Sequence, residues 1–228
     1  MKKLVILSGA GMSQESGLKT FRDMDGLWEN HRVEDVASIE GWFRNPELVM
    51  NFYNERRKQL FDCQPNPGHF GIAALEKDFD VQIITQNVDD LHERAGSTNV
   101  LHLHGELRKV RSTVDPELIY TLDHWELKMG DKCEKGSQLR PHIVWFGEAV
   151  PAFQEALPMM QQAEIVVVVG SSLQVYPAAG LINYAAPGVP VFVIDPVRPN
   201  IYMKNAVYIE EKASKGVEIL NQQLEKLK

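Results

Sequence analysis

A short apolar run at residues 4–7, LVIL, leads through Ser8 into residues 9–22, GAGMSQESGLKTFR. That order is strand, glycine-rich turn, then loop, and it constrains the fold more than any other stretch. Glycines at 9 and 11 let the backbone turn sharply and approach a ligand closely, and the free N–H groups of such a turn suit a pyrophosphate. Ser13 and Ser16 add hydroxyls to the same loop. A GxG after an apolar run is weak evidence alone, because many strand exits use glycine for geometry only. The third glycine of a GxGxxG fingerprint is replaced by Gln14, which disfavours a standard dehydrogenase.

Further strands follow the same plan. Residues 81–85 are a β-branched run leading into Gln86-Asn87-Val88-Asp89, polar groups at a strand's carboxyl end, where open α/β sheets bind ligands. Residues 100–103 end in His104-Gly105. Residues 142–146 close with Gly147-Glu148, and the unbroken run IVVVV at 165–169 reads as a strand covered on both faces and exits into Gly170-Ser171-Ser172. Residues 190–194 form another buried strand with Asp195 at its end, and 206–209 a last short one.

Between the strands, Asn45-Pro46-Glu47 is a helix start, with Asn45 as N-cap and Pro46 at the first helical position. The spacing predicts a helix over 46–61, with others at 69–76, 151–162 and 177–186. A terminal helix would be capped by Ser214 and carry Val217, Leu220, Leu224 and Leu227 on one face. Strands alternating with helices give an α/β fold with a mostly parallel sheet and helices on both faces. Residues 106–139, rich in charge and without a period, read as an inserted module.

A chain of 228 residues buries roughly 70% of its unfolded surface. The net charge of −7 argues against nucleic acid as a main partner. The apolar stretch after Met1 is too short for a secretion signal and no run reaches membrane-span length, so a cytoplasmic protein with no membrane partner is expected. Cys63 and Cys133 form no CxxC pair and no disulfide framework. The oligomeric state is not legible.

Five blocks taken together, GAGMSQESGLKTFR from Gly9, TQNVDDLHERAG from Thr85, LHLHG from Leu101, RPHIVWFGE from Arg140 and GSSLQVYPAA from Gly170, resemble the sirtuins, the NAD-dependent protein lysine deacylases, in family order. The resemblance implies a Rossmann-like domain over 1–28, 67–107 and 140–228, with a small lobe built from a helical insertion at 29–66 and a reduced zinc-module-like insertion at 108–139. NAD would be the co-substrate and acylated lysines of proteins the substrate. By matching motif, Gly9, Ala10, Gly11, Ser16, Phe21 and Arg22 line the NAD site together with Gln86, Gly170, Ser171 and Ser172. Asn87 and Asp89 hold the nicotinamide end. Val144, Phe146, Gly147 and Glu148 border the substrate, the last three by pairing with its backbone as an added strand. His104 is the expected general base toward a ribose hydroxyl, since a histidine titrates near neutrality. Structural roles are expected for His69, His92 and His102.

The chain departs from the family in two places. Most sirtuins hold a structural zinc with four cysteines between the HG and RP blocks. Here that interval carries only Cys133, with Ser112 where the first ligand is expected, and one thiolate cannot make a closed tetrahedral site. No zinc is expected, and the lobe would be held by packing of Leu118, Tyr120, Leu122 and Trp125. Asp195 stands where asparagine is common, and its charge would favour NAD over NADP. Tyr53 and Arg56, three apart on the predicted helix, share a face and resemble the pair of the desuccinylase and demalonylase class. A guanidinium and a phenol suit a distal carboxylate, so succinyl or malonyl is expected over acetyl. A mono-ADP-ribosyltransferase and a non-catalytic NAD sensor are the alternatives.

Overall fold

The computed structural model describes residues 1–18, 27–28, 31–199 and 206–227. In chain order its strands are β1 (Lys3–Ser8), β2 (Leu27–Trp28), β3 (His31–Arg32), β4 (Asp80–Thr85), β5 (Val100–His102), β6 (Gly105–Ser112), β7 (Ile119–Thr121), β8 (Leu139–Ile143), β9 (Ile165–Val169), β10 (Val191–Ile194) and β11 (Ala206–Ile209). Its α-helices are α1 (Val33–Val36), α2 (Ile39–Arg44), α3 (Pro46–Asp62), α4 (Pro67–Ala74), α5 (Leu91–Arg94), α6 (Phe153–Gln161) and α7 (Ala213–Leu224).

Six strands form one parallel sheet in the order β11-β10-β9-β1-β4-β5. Every residue of β9 is buried, as its unbroken apolar run requires. Ile165, Val167 and Val169 join a core with Ile72 of α4 and Val217, Leu220 and Leu224 of α7, while Val166 and Val168 pack with Ala156 and Met160 of α6. Each such side chain contributes about 1.5–3 kcal/mol of burial free energy. From β1 the chain crosses to β4 and β5 on one side and returns at β9 on the other. The carboxyl ends of β1 and β9 therefore flank the point where strand order reverses, where an open α/β sheet forms its ligand crevice.

A second body combines α1, α2 and α3 with the antiparallel sheet β7-β6-β8. Its core joins Val49, Phe52, Tyr53 and Leu60 of α3 to Leu107 and Val110 of β6 and to Trp145. The 139–143 strand thus pairs in the small sheet, which reaches past residues 107 and 140 into the parts assigned to the large domain. Fully buried Arg57 ties α3 to this sheet, donating from Nε to the Leu107 carbonyl at 2.6 Å and from Nη1 to the Trp125 carbonyl at 2.7 Å. Burial lowers its pKa to about 10.

Helix α3 starts as its sequence dictates, with Asn45 Oδ1 accepting from the Leu48 N–H at 3.0 Å. Two other expectations are corrected. The 177–186 segment is a 3₁₀ helix over Ala178–Tyr184 rather than an α-helix. Ser214 does not cap α7: it lies inside the first turn, and its N–H donates to Glu15 Oε2 at 2.8 Å, a cap supplied from across the fold. Among the described residues, no helix is long and apolar enough to cross a membrane.

Candidate active site

A cavity of about 510 Å³ lies between the strand ends and the small lobe. Its strand-end wall carries Gly9, Ala10 and Gly11 after β1, Gln86 after β4, Gly170, Ser171 and Ser172 after β9, and Asp195 after β10. The two glycine turns are in direct backbone contact. Gly9 N donates to the Val169 carbonyl at 3.0 Å and Gly11 N to the Gly170 carbonyl at 2.9 Å, while Met12 N and Ser13 N turn back onto Gly9 and Ala10. A Cβ on Gly11 would lie 2.7 Å from Gly170 Cα, and one on Gly170, at φ +62°, only 2.2 Å from Met12 N. The glycines therefore serve close approach of two loops. The expectation that the N–H groups of Gly9 and Gly11 stay free for a pyrophosphate is corrected, because both are engaged within the protein.

Ser16 is not on the cavity wall; its hydroxyl accepts from Asn66 Nδ2 at 3.1 Å. Ser13 takes its place, and the sequence signal for it was the same loop. Buried Ser13 donates to Asp89 Oδ2 at 2.9 Å and accepts from Asn87 Nδ2 at 3.1 Å, joining the two side chains expected at the nicotinamide end. Asp89 also accepts from the Leu91 N–H at 3.2 Å, so it caps α5 from one residue further back. Burial raises its pKa despite these bonds. Phe21 and Arg22 lie outside the described residues.

His104 lies on the wall at the exit of β5, with Nδ1 3.0 Å from the Gln86 carbonyl. A carbonyl can only accept, so Nδ1 carries the proton and Nε2 is left with its lone pair. Burial lowers the His104 pKa, which keeps the ring neutral and able to accept a proton. His69, His92 and His102 do not line the cavity. His102 bridges the Asn87 carbonyl and Glu93, at 3.0 and 2.7 Å; burial opposes its charge, but the carboxylate prevails and raises its pKa. Burial pulls His69 down to about 4 and His92 well below its ordinary value.

The opposite wall is side-chain-built. Tyr53 and Arg56, one turn apart on α3, both line it. Tyr53 is buried and its hydroxyl accepts from Trp145 Nε1 at 3.0 Å; burial raises its pKa, so it stays protonated. Arg56 Cζ lies 5.7 Å from the Phe52 ring centroid. The loop that follows β8 also lines this wall with Val144, Phe146, Gly147 and Glu148. Val144 N donates to the His104 carbonyl at 2.9 Å, which ties the loop to the base.

The expectation for Phe146 in this loop is corrected. Phe146 N donates to the Ala37 carbonyl and Phe146 O accepts from Ile39 N, so its main chain is already paired inside the protein and substrate pairing does not fall on it. The Glu148 carboxylate takes two bonds from Arg140, at 2.7 and 2.9 Å, with Arg111 at 3.2 Å and the Trp145 N–H at 2.9 Å. It is an internal clamp, and these partners pull its pKa down against the effect of burial.

Where zinc cysteines are expected, Ser112 and Ser137 hydroxyls lie 2.8 Å apart and Cys133 Sγ is within 3.4 and 3.1 Å of them. Lys135 pairs with Asp115 at 2.7 Å. Hydrogen bonding with Ser112 and Ser137 pulls the Cys133 thiol down to about 7. The lobe is thus fastened by a polar clamp with buried Leu107, Val110 and Leu127 beneath it; Tyr120 and Leu122 pack at its edge rather than forming its centre. Among the described residues, no group of three or more His, Cys, Asp or Glu side chains is placed to hold a metal.

The sequence pattern of the Sir2 family matches residues 9–177. An NAD-dependent protein deacylase of Helicobacter pylori is 56% identical over 216 residues, covering 93% of both chains. One from Bacteroides thetaiotaomicron is 53% identical, covering 98% of both. The crystal structure of a Sir2 homologue in complex with NAD superposes with a TM-score of 0.90 at 39% identity, covering 99% of this chain and 90% of that one. Its ligand agrees with a cavity of cofactor size at the switch point.

Proposed function

This chain belongs to the Sir2 family and is an NAD-dependent protein deacylase, and on that premise we propose that it prefers lysines bearing an acidic acyl group, succinyl or malonyl, over acetyl-lysine. NAD would be the acceptor: with nicotinamide as leaving group and one water consumed, the acyl group would pass from the lysine amide to the ADP-ribose, giving O-acyl-ADP-ribose and free lysine. The remaining work belongs to the protein. His104, neutral and with its Nε2 lone pair available, takes the proton from a ribose hydroxyl. Ser13 holds the Asn87 and Asp89 side chains in one fixed relation beside it. Leu107, Ile143 and Val144 give that part of the cavity an apolar lining that limits water.

The acyl preference rests on one observation: Tyr53 and Arg56 line the same cavity as His104. A guanidinium binds a carboxylate through charge-assisted bonds, and a protonated phenol donates one more, neither of which acetyl can use. Replacement of Arg56 by Met is expected to lower kcat/KM for a succinyl-lysine peptide by about 10- to 100-fold, while acetyl-lysine turnover is kept or increased. The measurement is mass-spectrometric turnover of matched peptides with NAD. A succinyl-to-acetyl ratio unchanged by Arg56→Met would overturn the preference.

A further inference from the structure

Trp145 also lines the cavity, and its indole is held from several sides. Its indole is stacked on Trp42, with centroids 5.5 Å apart and planes at 30°, and Arg140 Cζ lies 3.5 Å from the ring centroid. Arg140 is in turn fixed by both oxygens of Glu148 and by the Ile143 carbonyl at 3.0 Å. The Trp145 main-chain N–H donates to Glu148 as well. The ring is 2% exposed and held on two sides, so its single N–H can point in one direction, and there it meets the Tyr53 hydroxyl at 3.0 Å.

An indole N–H only donates, so the Tyr53 oxygen accepts. The phenol's own proton then has no acceptor among the described residues, and Tyr53 is one of the residues that line the cavity. We infer that Trp145 is a specificity-setting positioning residue: by occupying a lone pair of the Tyr53 hydroxyl it turns that group into a fixed donor aimed at the acyl chain, which selects a terminal carboxylate acceptor. This rests on the acidic-acyl reading above. It also gives the Arg111–Arg140–Glu148 cluster a purpose, since Arg140 lies on the indole and Glu148, itself held by Arg111, fixes Arg140 there.

A double-mutant cycle tests it, with succinyl-lysine and acetyl-lysine peptides at saturating NAD. Trp145→Phe keeps an aromatic ring in the stack and removes the N–H. It is expected to raise KM for the succinyl peptide about three- to tenfold with kcat little changed, and to leave acetyl kcat/KM within about twofold. In a Tyr53→Phe background the same change should add nothing to the ratio. Equal losses on both peptides, or effects that multiply in the double variant, would assign Trp145 a packing role and overturn the inference. β-(3-Benzothienyl)alanine at position 145, of the same shape without the N–H, gives the same test should the Phe variant fail to fold. The two readings fail separately. A native enzyme with no succinyl preference removes the acyl reading and this inference with it, whereas a preference untouched at Trp145 removes this inference alone.

Discussion

The two walls of the cavity are made by opposite means. On the strand-end wall the backbone does the shaping: Gly9 and Gly11 press against Gly170, and the N–H groups of Gly9 and Gly11 bond to the facing turn. On the small-lobe wall the shape comes from side chains, with Trp145 fixed between Trp42 and Arg140 and resting on Tyr53. A backbone-shaped wall admits almost no variation and suits a ligand that never changes. A side-chain-shaped wall can be altered one residue at a time, which suits the part of the substrate that differs between acyl groups. His104, at the exit of β5, lines the same cavity, and as a general base it would serve every acyl group alike.

The largest effect should therefore come from His104 and fall on every acyl substrate alike. His104→Ala is expected to cost about 10²- to 10⁴-fold in kcat, with the succinyl-to-acetyl ratio preserved. A ratio that shifted would mean the histidine also belongs to the acyl wall. The pH profile carries the same assignment. Because burial depresses the His104 pKa, the neutral base persists into more acid solution than a free histidine would. The acid limb of kcat/KM should lie below about 6.5; a limb above it would contradict the neutral, Nδ1-protonated ring.

Next in size is a direct comparison of the walls by Gly170→Ala and Tyr53→Phe. At φ +62° with Met12 N at 2.2 Å, an alanine Cβ at 170 forces the two turns apart. A loss of about 1–3 kcal/mol follows, which for a domain of this size lowers Tm by about 2–4 °C per kcal/mol, and NAD binding should weaken with it. Tyr53→Phe should leave NAD affinity unchanged and alter only the acyl ratio. Calorimetric melting and NAD titration of both variants make the check. If Gly170→Ala melted and bound NAD like the native protein, the strand-end wall would not be backbone-determined.

The same contrast explains what the sequence could disclose. Glycines that permit close approach must sit at strand ends, next to the apolar runs that form those strands, so the parallel sheet and its polar exits were legible as contiguous blocks. Contacts assembled from distant positions left no such trace. Arg57 reads as one cation in a charged helix until β6 supplies the Leu107 carbonyl, and Glu15 shows nothing of its bond to the Ser214 N–H. Ser13 and Ser16 are equivalent hydroxyls on one loop; only the 3₁₀ turns at Ala10–Met12 and Gln14–Ser16 decide that the first meets Asp89 and the second Asn66. Missing cysteines could be counted, but the hydroxyl and thiol clamp of Ser112, Cys133 and Ser137 requires the two turns to be brought together. Trp145 stood in a matched block, yet its partner lies 92 residues away.

Asp195 gives the smallest effect and the finest test of the comparison, because it is a charged side chain on the wall otherwise shaped by backbone. It ends β10, is 3% exposed, and its Oδ1 accepts from the Val197 N–H at 2.9 Å, which holds the carboxylate in place beside the cavity. A fixed carboxylate accepts from ribose hydroxyls and repels a 2′-phosphate. Asp195→Asn retains the shape and an oxygen for Val197 while removing the charge. The ratio of NADP to NAD dissociation constants should then fall about three- to tenfold, equivalent to about 1 kcal/mol, with NAD affinity itself nearly constant. Isothermal titration with each dinucleotide decides it. An unchanged ratio would mean that the strand-end wall selects its ligand by shape throughout, and that discrimination by side-chain chemistry is confined to the small-lobe wall.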